Sequence, residues 1–359
     1  MSTSSEPLLL IGTYTEPEES KSEGIYVYRM DPSSGKLFYE SLIKDVPNVS
    51  YMAVHPRSGW IYAVNETEDF EGKPGGGISV ISRDSAGEFR LLHKQTSGGA
   101  NPAYISIERT GHFALVANYK AGSIAMLPIR WDGQLDLPSH VVQHVGSSTY
   151  PGRQEGPHPH CILPDPSNRF ALVADLGVDK LFIYHMDLDE GQLHNHTEVE
   201  VEPRTGPRHI LFDETGRHAY VVNELNSTII FYNYDATTGT LERIQAVSTL
   251  PGLFSEQNFC ADLHLSSDQN YLYVSNRGHD SIVCFGVDGD SGELTYQSHI
   301  PSNGYQPRIF ALDPSGRFIV AAHQKSRNAV VYRIDAETGN LSHTGHEVEL
   351  DMPVHVLFV

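Results

Sequence analysis

The sequence predicts an all-β fold, a seven-bladed β-propeller of four-stranded antiparallel blades. Three observations point there: a repeat of about 51 residues, four short β-patterned segments in each repeat, and a C-terminal strand that completes a blade begun at the N-terminus. The 359 residues are then expected to form one domain, 1–359, although a chain of this length without repeats would ordinarily divide.

The repeat is read from its turns. PRSGW, RTGHF, PSNRF, ETGRH, SDQNY and PSGRF recur along the chain, with Gly59, Gly111, Asn168, Gly216, Asn270 and Gly316 at the position that needs a positive φ. An X-Pro step and a short apolar strand precede most of these turns. The strands that follow, IYAVNE, FALVAN, FALVAD, AYVVNE, LYVSNR and FIVAAH, are rich in β-branched and aromatic residues. A third strand (ISVISRD, LFIYHMD, IIFYNYD, IVCFGVD, VVYRID) leads into a second turn of the type DATTGTL, DGDSGEL or DAETGNL, and a looser fourth strand closes the unit.

Six complete units run from about residue 48 to residue 350. The remaining N-terminal segments, PLLLIGTYT, GIYVYRMD and KLFYESL, supply second, third and fourth strands but no first. MPVHVLFV at the C-terminus is a first strand with nothing after it, so the two pieces are expected to pair. Such a latch removes the open edges of a linear array.

The register selects the functional candidates. In an antiparallel pair the start of the first strand lies beside the end of the second. Sixteen residues separate the members of Ser50–Glu66, Ala103–Tyr119, His160–Leu176, Arg208–Glu224, Ala261–Arg277 and Arg308–Gln324, with Val354 and Tyr14 as the latched equivalents. Neighbouring blades thus bring His160, Arg208, Glu224, Arg277, Arg308 and Gln324 to matched positions. Three arginines, a histidine and a glutamate are poor packing and good anion chemistry. An insertion before the third of these blades, STYPGRQEGPHPHC, adds Arg153, Glu155 and His158. Glu66 is a second candidate carboxylate. Arg208 with Glu224 also reads simply as an ion pair inside one hairpin.

Other functions are excluded or set aside by composition. A formal charge of −20 argues against nucleic acid as partner, since phosphate backbones select clustered Lys and Arg. The H-P-H of His158 and His160 has no further ligand cluster at metal spacing, so neither metal nor cofactor is expected. KPGGG at 73–77 lacks the ending of a phosphate loop. Three scattered cysteines, Cys161, Cys260 and Cys284, fit a reducing cytosol. MSTSSEP lacks the features of a signal peptide, and no apolar run reaches the roughly 20 residues of a membrane helix. The expectation is a soluble cytoplasmic protein, a monomer or weak homo-oligomer, with no membrane partner.

GPHPHC, TGPRHILFD, YVVNEL, YVSNRGHDSI and QPRIFALDPSGRF, with the opening IGTYT, resemble the propeller lactonase family over essentially the whole chain. That family groups bacterial 6-phosphogluconolactonases of the propeller type with fungal 3-carboxy-cis,cis-muconate lactonizing enzymes. Beside His158 and Glu155 of the insertion and Arg308 and Gln324 of the register, which are expected substrate contacts, the resemblance implies catalytic roles for His160, Arg208, Glu224 and Arg277. It implies a small anionic lactone as substrate. Hydrolysis requires an activated water, a stabilised oxyanion and a proton for the leaving oxygen. Glu224 suits the base, and His160, of a type that titrates near neutrality, suits the acid. Arg208 and Arg277 suit the oxyanion or a carboxylate or phosphate. A cycloisomerase, or a non-catalytic propeller that binds sugar acids or proteins, uses the same frame. The sequence does not choose the physiological lactone.

Overall fold

The computed structural model describes residues 6–16 and 20–359. They form the seven four-stranded antiparallel blades of a β-propeller, and no helix occurs among them. Six blades are built from consecutive strands. A short hairpin of Asp69–Phe70 and Lys73–Pro74 interrupts the first of them and takes up part of the KPGGG segment. The chain divides into two compact units, residues 1–49 with 249–359 and residues 50–248.

In the first unit the seventh blade is composite, as the incomplete N-terminal repeat requires. Leu8–Thr13 pairs on one side with Gly24–Met30 and on the other with the C-terminal strand Pro353–Phe358. Leu9 lies opposite Phe358 and Ile11 opposite Val356, and Leu9, Leu10 and Ile11 are fully buried. The pairing satisfies backbone groups that an unclosed edge would expose.

Each repeated turn has a physical cause. The outer turns are set by their aspartate: Asp235 Oδ1 accepts from the backbone N–H of Thr237 at 2.7 Å, and Asp335 Oδ1 accepts from Thr338 N–H at 2.9 Å. The glycine that follows serves twice. Gly239 has φ 66°, and a Cβ there would stand 2.8 Å from the Phe170 ring of the preceding blade. Gly339 on Tyr271 repeats the contact in the other unit. At the inner turns the left-handed residue is the expected Gly or Asn in five blades. In SDQNY it is Gln269 (φ 62°), one residue before the Asn270 that the turn composition suggested. Gln269 holds the same place in its turn as Asn168, Gly216 and Gly316 do in theirs, donating its N–H to the carbonyl three residues back (Ser266, 2.9 Å), while Asp268 accepts from both the backbone and the side-chain N–H of Asn270.

The first strands carry an irregularity that positions the candidate residues. Pro207 pairs with Asn223 and His209 with Val222, so Arg208 is the extra residue of a β-bulge. The same bulge falls at Ala103, His160, Arg308 and Val354. Arg208 and Glu224 are therefore not a directly opposed pair: Glu224 is the first residue beyond the strand His218–Asn223. The fifth blade departs further. There Phe259 lies opposite Arg277, and Ala261 falls inside a longer irregularity between Cys260 and Leu263.

Removal of residues 352–359 strips the first strand from the composite blade and exposes the backbone of Leu8–Thr13. The shortened protein is expected to aggregate or to lose cooperative unfolding, checked by light scattering and a thermal melt. A monomer with an unchanged melting temperature would refute the latch.

Candidate active site

The unit of residues 50–248 gathers a closed circuit of side chains where first strands begin and second strands end. Arg208 Nε donates to Glu224 Oε2 at 2.8 Å, and both side chains are almost fully buried, at 1% and 2% exposed. Arg153, from the insertion, donates through Nη2 to the other carboxylate oxygen, Glu224 Oε1. The same nitrogen reaches the Tyr119 hydroxyl at 3.5 Å. The Tyr119 ring stacks on His158 with centroids 4.5 Å apart, and it meets His160 edge-on at 5.4 Å. His160 in turn contacts the His209 ring at 5.2 Å. His209 Nε2 accepts from Arg208 Nη1 at 3.2 Å, which closes the circuit. Tyr104 and Tyr51 pack against His209 and stack on each other at 4.0 Å.

Local sequence explains these placements. The bulge turns Arg208 out of strict alternation with its neighbours. The insertion is fastened by Gln154, which is fully buried. Its amide donates to the Leu176 carbonyl at 2.8 Å and its oxygen accepts from Tyr150 N–H at 2.9 Å. Asp175 holds the end of the loop. One oxygen accepts from the backbone N–H of His158 (2.7 Å) and Gly177 (3.0 Å), and the other accepts from His144 Nδ1 at 2.6 Å. His158 donates through Nδ1 to the Tyr119 carbonyl at 2.9 Å, which fixes the orientation of its ring.

The electrostatics follow from burial. Burial opposes the charge of Arg153, yet the carboxylate of Glu224 and the Tyr119 hydroxyl outweigh it and raise the guanidinium above its usual value. Burial likewise raises the Tyr119 phenol, which stays protonated at neutral pH.

Of the sequence candidates, His158, His160, Arg208 and Glu224 come together in this unit. Glu155 lies on the same loop and is exposed. Arg277, Arg308 and Gln324 belong to the other unit. Arg277 is half-buried and donates to the carbonyls of Phe259 (3.3 Å) and Cys260 (3.1 Å). The Arg308 guanidinium lies over the Tyr14 ring, 5.3 Å from its centroid. Gln324 follows His323, whose buried ring is pushed down to about 4 by loss of solvent.

Two participants escaped the register argument: Arg153 was visible only as part of an insertion, and His209 as the neighbour of Arg208. Tyr119 was in the register, paired with Ala103, but was not among the selected candidates. Among the described residues no group of three or more His, Cys, Asp or Glu side chains is placed to hold a metal ion.

The buried pair sets a stability prediction. Glu224→Ala leaves the Arg208 charge without its carboxylate, a loss of about 3–5 kcal/mol for a buried pair. Glu224→Gln keeps an oxygen that accepts from Arg208 Nε, so a smaller loss is expected in urea unfolding. Equal stability of the wild type and Glu224→Ala would contradict the burial of a charged pair.

Comparison with known proteins sets this geometry beside related chains. The model of the family described as "Lactonase, 7-bladed beta-propeller" matches residues 8–358. A 6-phosphogluconolactonase of Bacillus subtilis is 34% identical over 350 residues, covering 97% of each chain. A 6-phosphogluconolactonase of Formosa agariphila is 32% identical over 348 residues, 95% of this chain and 96% of the relative. Among solved structures, the periplasmic gluconolactonase PpgL of Pseudomonas aeruginosa is similar with a TM-score of 0.93 and 32% identity over 99% of both chains.

Proposed function

This chain belongs to the seven-bladed β-propeller lactonase family, and from that premise we propose that it hydrolyses 6-phosphogluconolactone to 6-phosphogluconate. The observation that carries the residue assignment is the buried Glu224 carboxylate, gripped by Arg208 and Arg153 and linked through Tyr119 and His209 to His160.

Glu224 accepts a proton from water as the water oxygen attacks the lactone carbonyl carbon. Negative charge then develops on the carbonyl oxygen, where the buried Arg208 guanidinium opposes it. Collapse of the tetrahedral intermediate breaks the bond to the ring oxygen, which takes its proton from His160. The product is the open hydroxy acid, and the proton on Glu224 returns through solvent to His160. Arg208 cannot turn outward without losing both Glu224 and His209, so it is preorganised for this task. Arg277, Arg308 and Gln324 enter the reading through their repeat positions and motifs, as grips for the anionic ends of the substrate. His158 and Glu155 contribute from the insertion.

The proposed compartment is the cytoplasm. All three cysteines are free and buried, as suits a reducing environment. No helix among the described residues is long and apolar enough to cross a membrane.

The test is turnover of 6-phosphoglucono-δ-lactone, followed by acid release, alongside 3-carboxymuconate, followed by absorbance. Lactone hydrolysis alone is expected. Glu224→Gln is expected to lower kcat by about 10²-fold or more, the scale of a lost general base. Arg277→Ala is expected to lower kcat/KM strongly. Normal turnover by both variants would reduce Arg208–Glu224 to a structural ion pair.

A further inference from the structure

Two guanidinium groups meet the single carboxylate of Glu224, and they differ in how they are held. Arg208 is 1% exposed and fixed on both sides, by Glu224 through Nε and by His209 through Nη1. The Arg153 side chain is 28% exposed. Its backbone sits in a compact turn in which Arg153 N–H donates to the Tyr150 carbonyl at 3.3 Å and Gln154 N–H donates to it at 3.1 Å. The buried Gln154 side chain pins that turn to Leu176. The guanidinium can therefore change partner by side-chain rotation, with no movement of the loop.

Chemistry selects the new partner. A guanidinium on a carboxylate exchanges readily for a phosphate dianion, which carries more charge and accepts the same two-pronged hydrogen bonds. In a protein of net charge −20 such an anion needs a local cation at the site itself. The raised titration of Arg153 keeps that cation charged.

We infer that Arg153 is the specificity-determining anchor for the substrate's phosphate, leaving Glu224 for the phosphate when a phosphorylated lactone binds. This rests on the lactonase reading above and adds to it. Phosphorylated substrates are thus favoured in binding.

The experiment compares wild type, Arg153→Gln and Arg153→Lys on 6-phosphoglucono-δ-lactone and on glucono-δ-lactone, with melting temperatures as the check on folding. The wild type is expected to prefer the phosphorylated lactone. Arg153→Gln is expected to lower kcat/KM on that substrate by about 10²-fold, mainly through KM, as for a lost ionic contact. On glucono-δ-lactone the loss is smaller, and the preference narrows by about tenfold or more. Arg153→Lys restores part of the preference, and calorimetric affinity for 6-phosphogluconate follows the same order. Equal losses on the two lactones would make Arg153 a positioning residue for Glu224 and overturn the inference alone. So would a wild type that turns over both lactones without preference. A wild type that turns over neither would overturn the lactonase reading, and the inference with it.

Discussion

In a regular antiparallel ladder successive side chains alternate between faces, and a residue at the start of a strand has its direction dictated by the residues after it. The extra residue between Pro207 and His209 breaks that dictation, and the site depends on the break. It sets Arg208 beside Glu224 while His209 remains in the ladder opposite Val222, and the two neighbours still contact each other at 3.2 Å. The same bulge at His160 gives that ring its contacts with Tyr119 and His209. A bulge is a conformational choice that repetition makes available in every blade. At Ala103 and Val354 it carries small or apolar residues and serves packing. At His160 and Arg208 the same backbone carries ionisable side chains that meet those of neighbouring strands.

Placing an ion pair under almost complete burial is costly, since both groups give up water. Glu224 offsets this with hydrogen bonds to two guanidiniums, and Arg208 with a second contact to His209. The cost is accepted where preorganised charge is useful, because a fixed guanidinium needs no reorganisation as an oxyanion forms. The outer parts of the blades show the opposite economy. There aspartates cap turns and glycines seat against aromatic rings, features that hold the scaffold rigid without burying charge.

The architecture was legible because propeller blades write themselves into sequence as a period. The turn residues, the strand patterns and the unmatched first strand at 352–359 all have local causes, and the pairing of the two terminal strands followed from counting the strands of each repeat. The one misplaced turn residue is Gln269, which takes the left-handed position while Asn270, the residue whose type suits it, lies one place further along an otherwise identical turn. The register also brought out His160, Arg208 and Glu224, since the third and fourth blades share the same bulge and spacing. It could not find the role of Arg153. An insertion has no counterpart in the other repeats, and its path is set by Gln154 and Asp175, whose partners lie elsewhere in the fold. Arg277 illustrates a second limit. Equal spacing suggested Ala261 as its neighbour, whereas the longer irregularity in that blade brings it to the carbonyls of Phe259 and Cys260.

The central claim is that the buried Arg208–Glu224 pair is a reaction centre. The most direct measurement is a crystal structure of the Glu224→Gln protein with 6-phosphogluconate bound. The account predicts the product carboxylate within hydrogen-bond reach, about 3 Å, of Arg208 and of residue 224, with its neighbouring hydroxyl at His160. A ligand bound at full occupancy elsewhere, with the Arg208 and His160 side chains out of its reach, would contradict it.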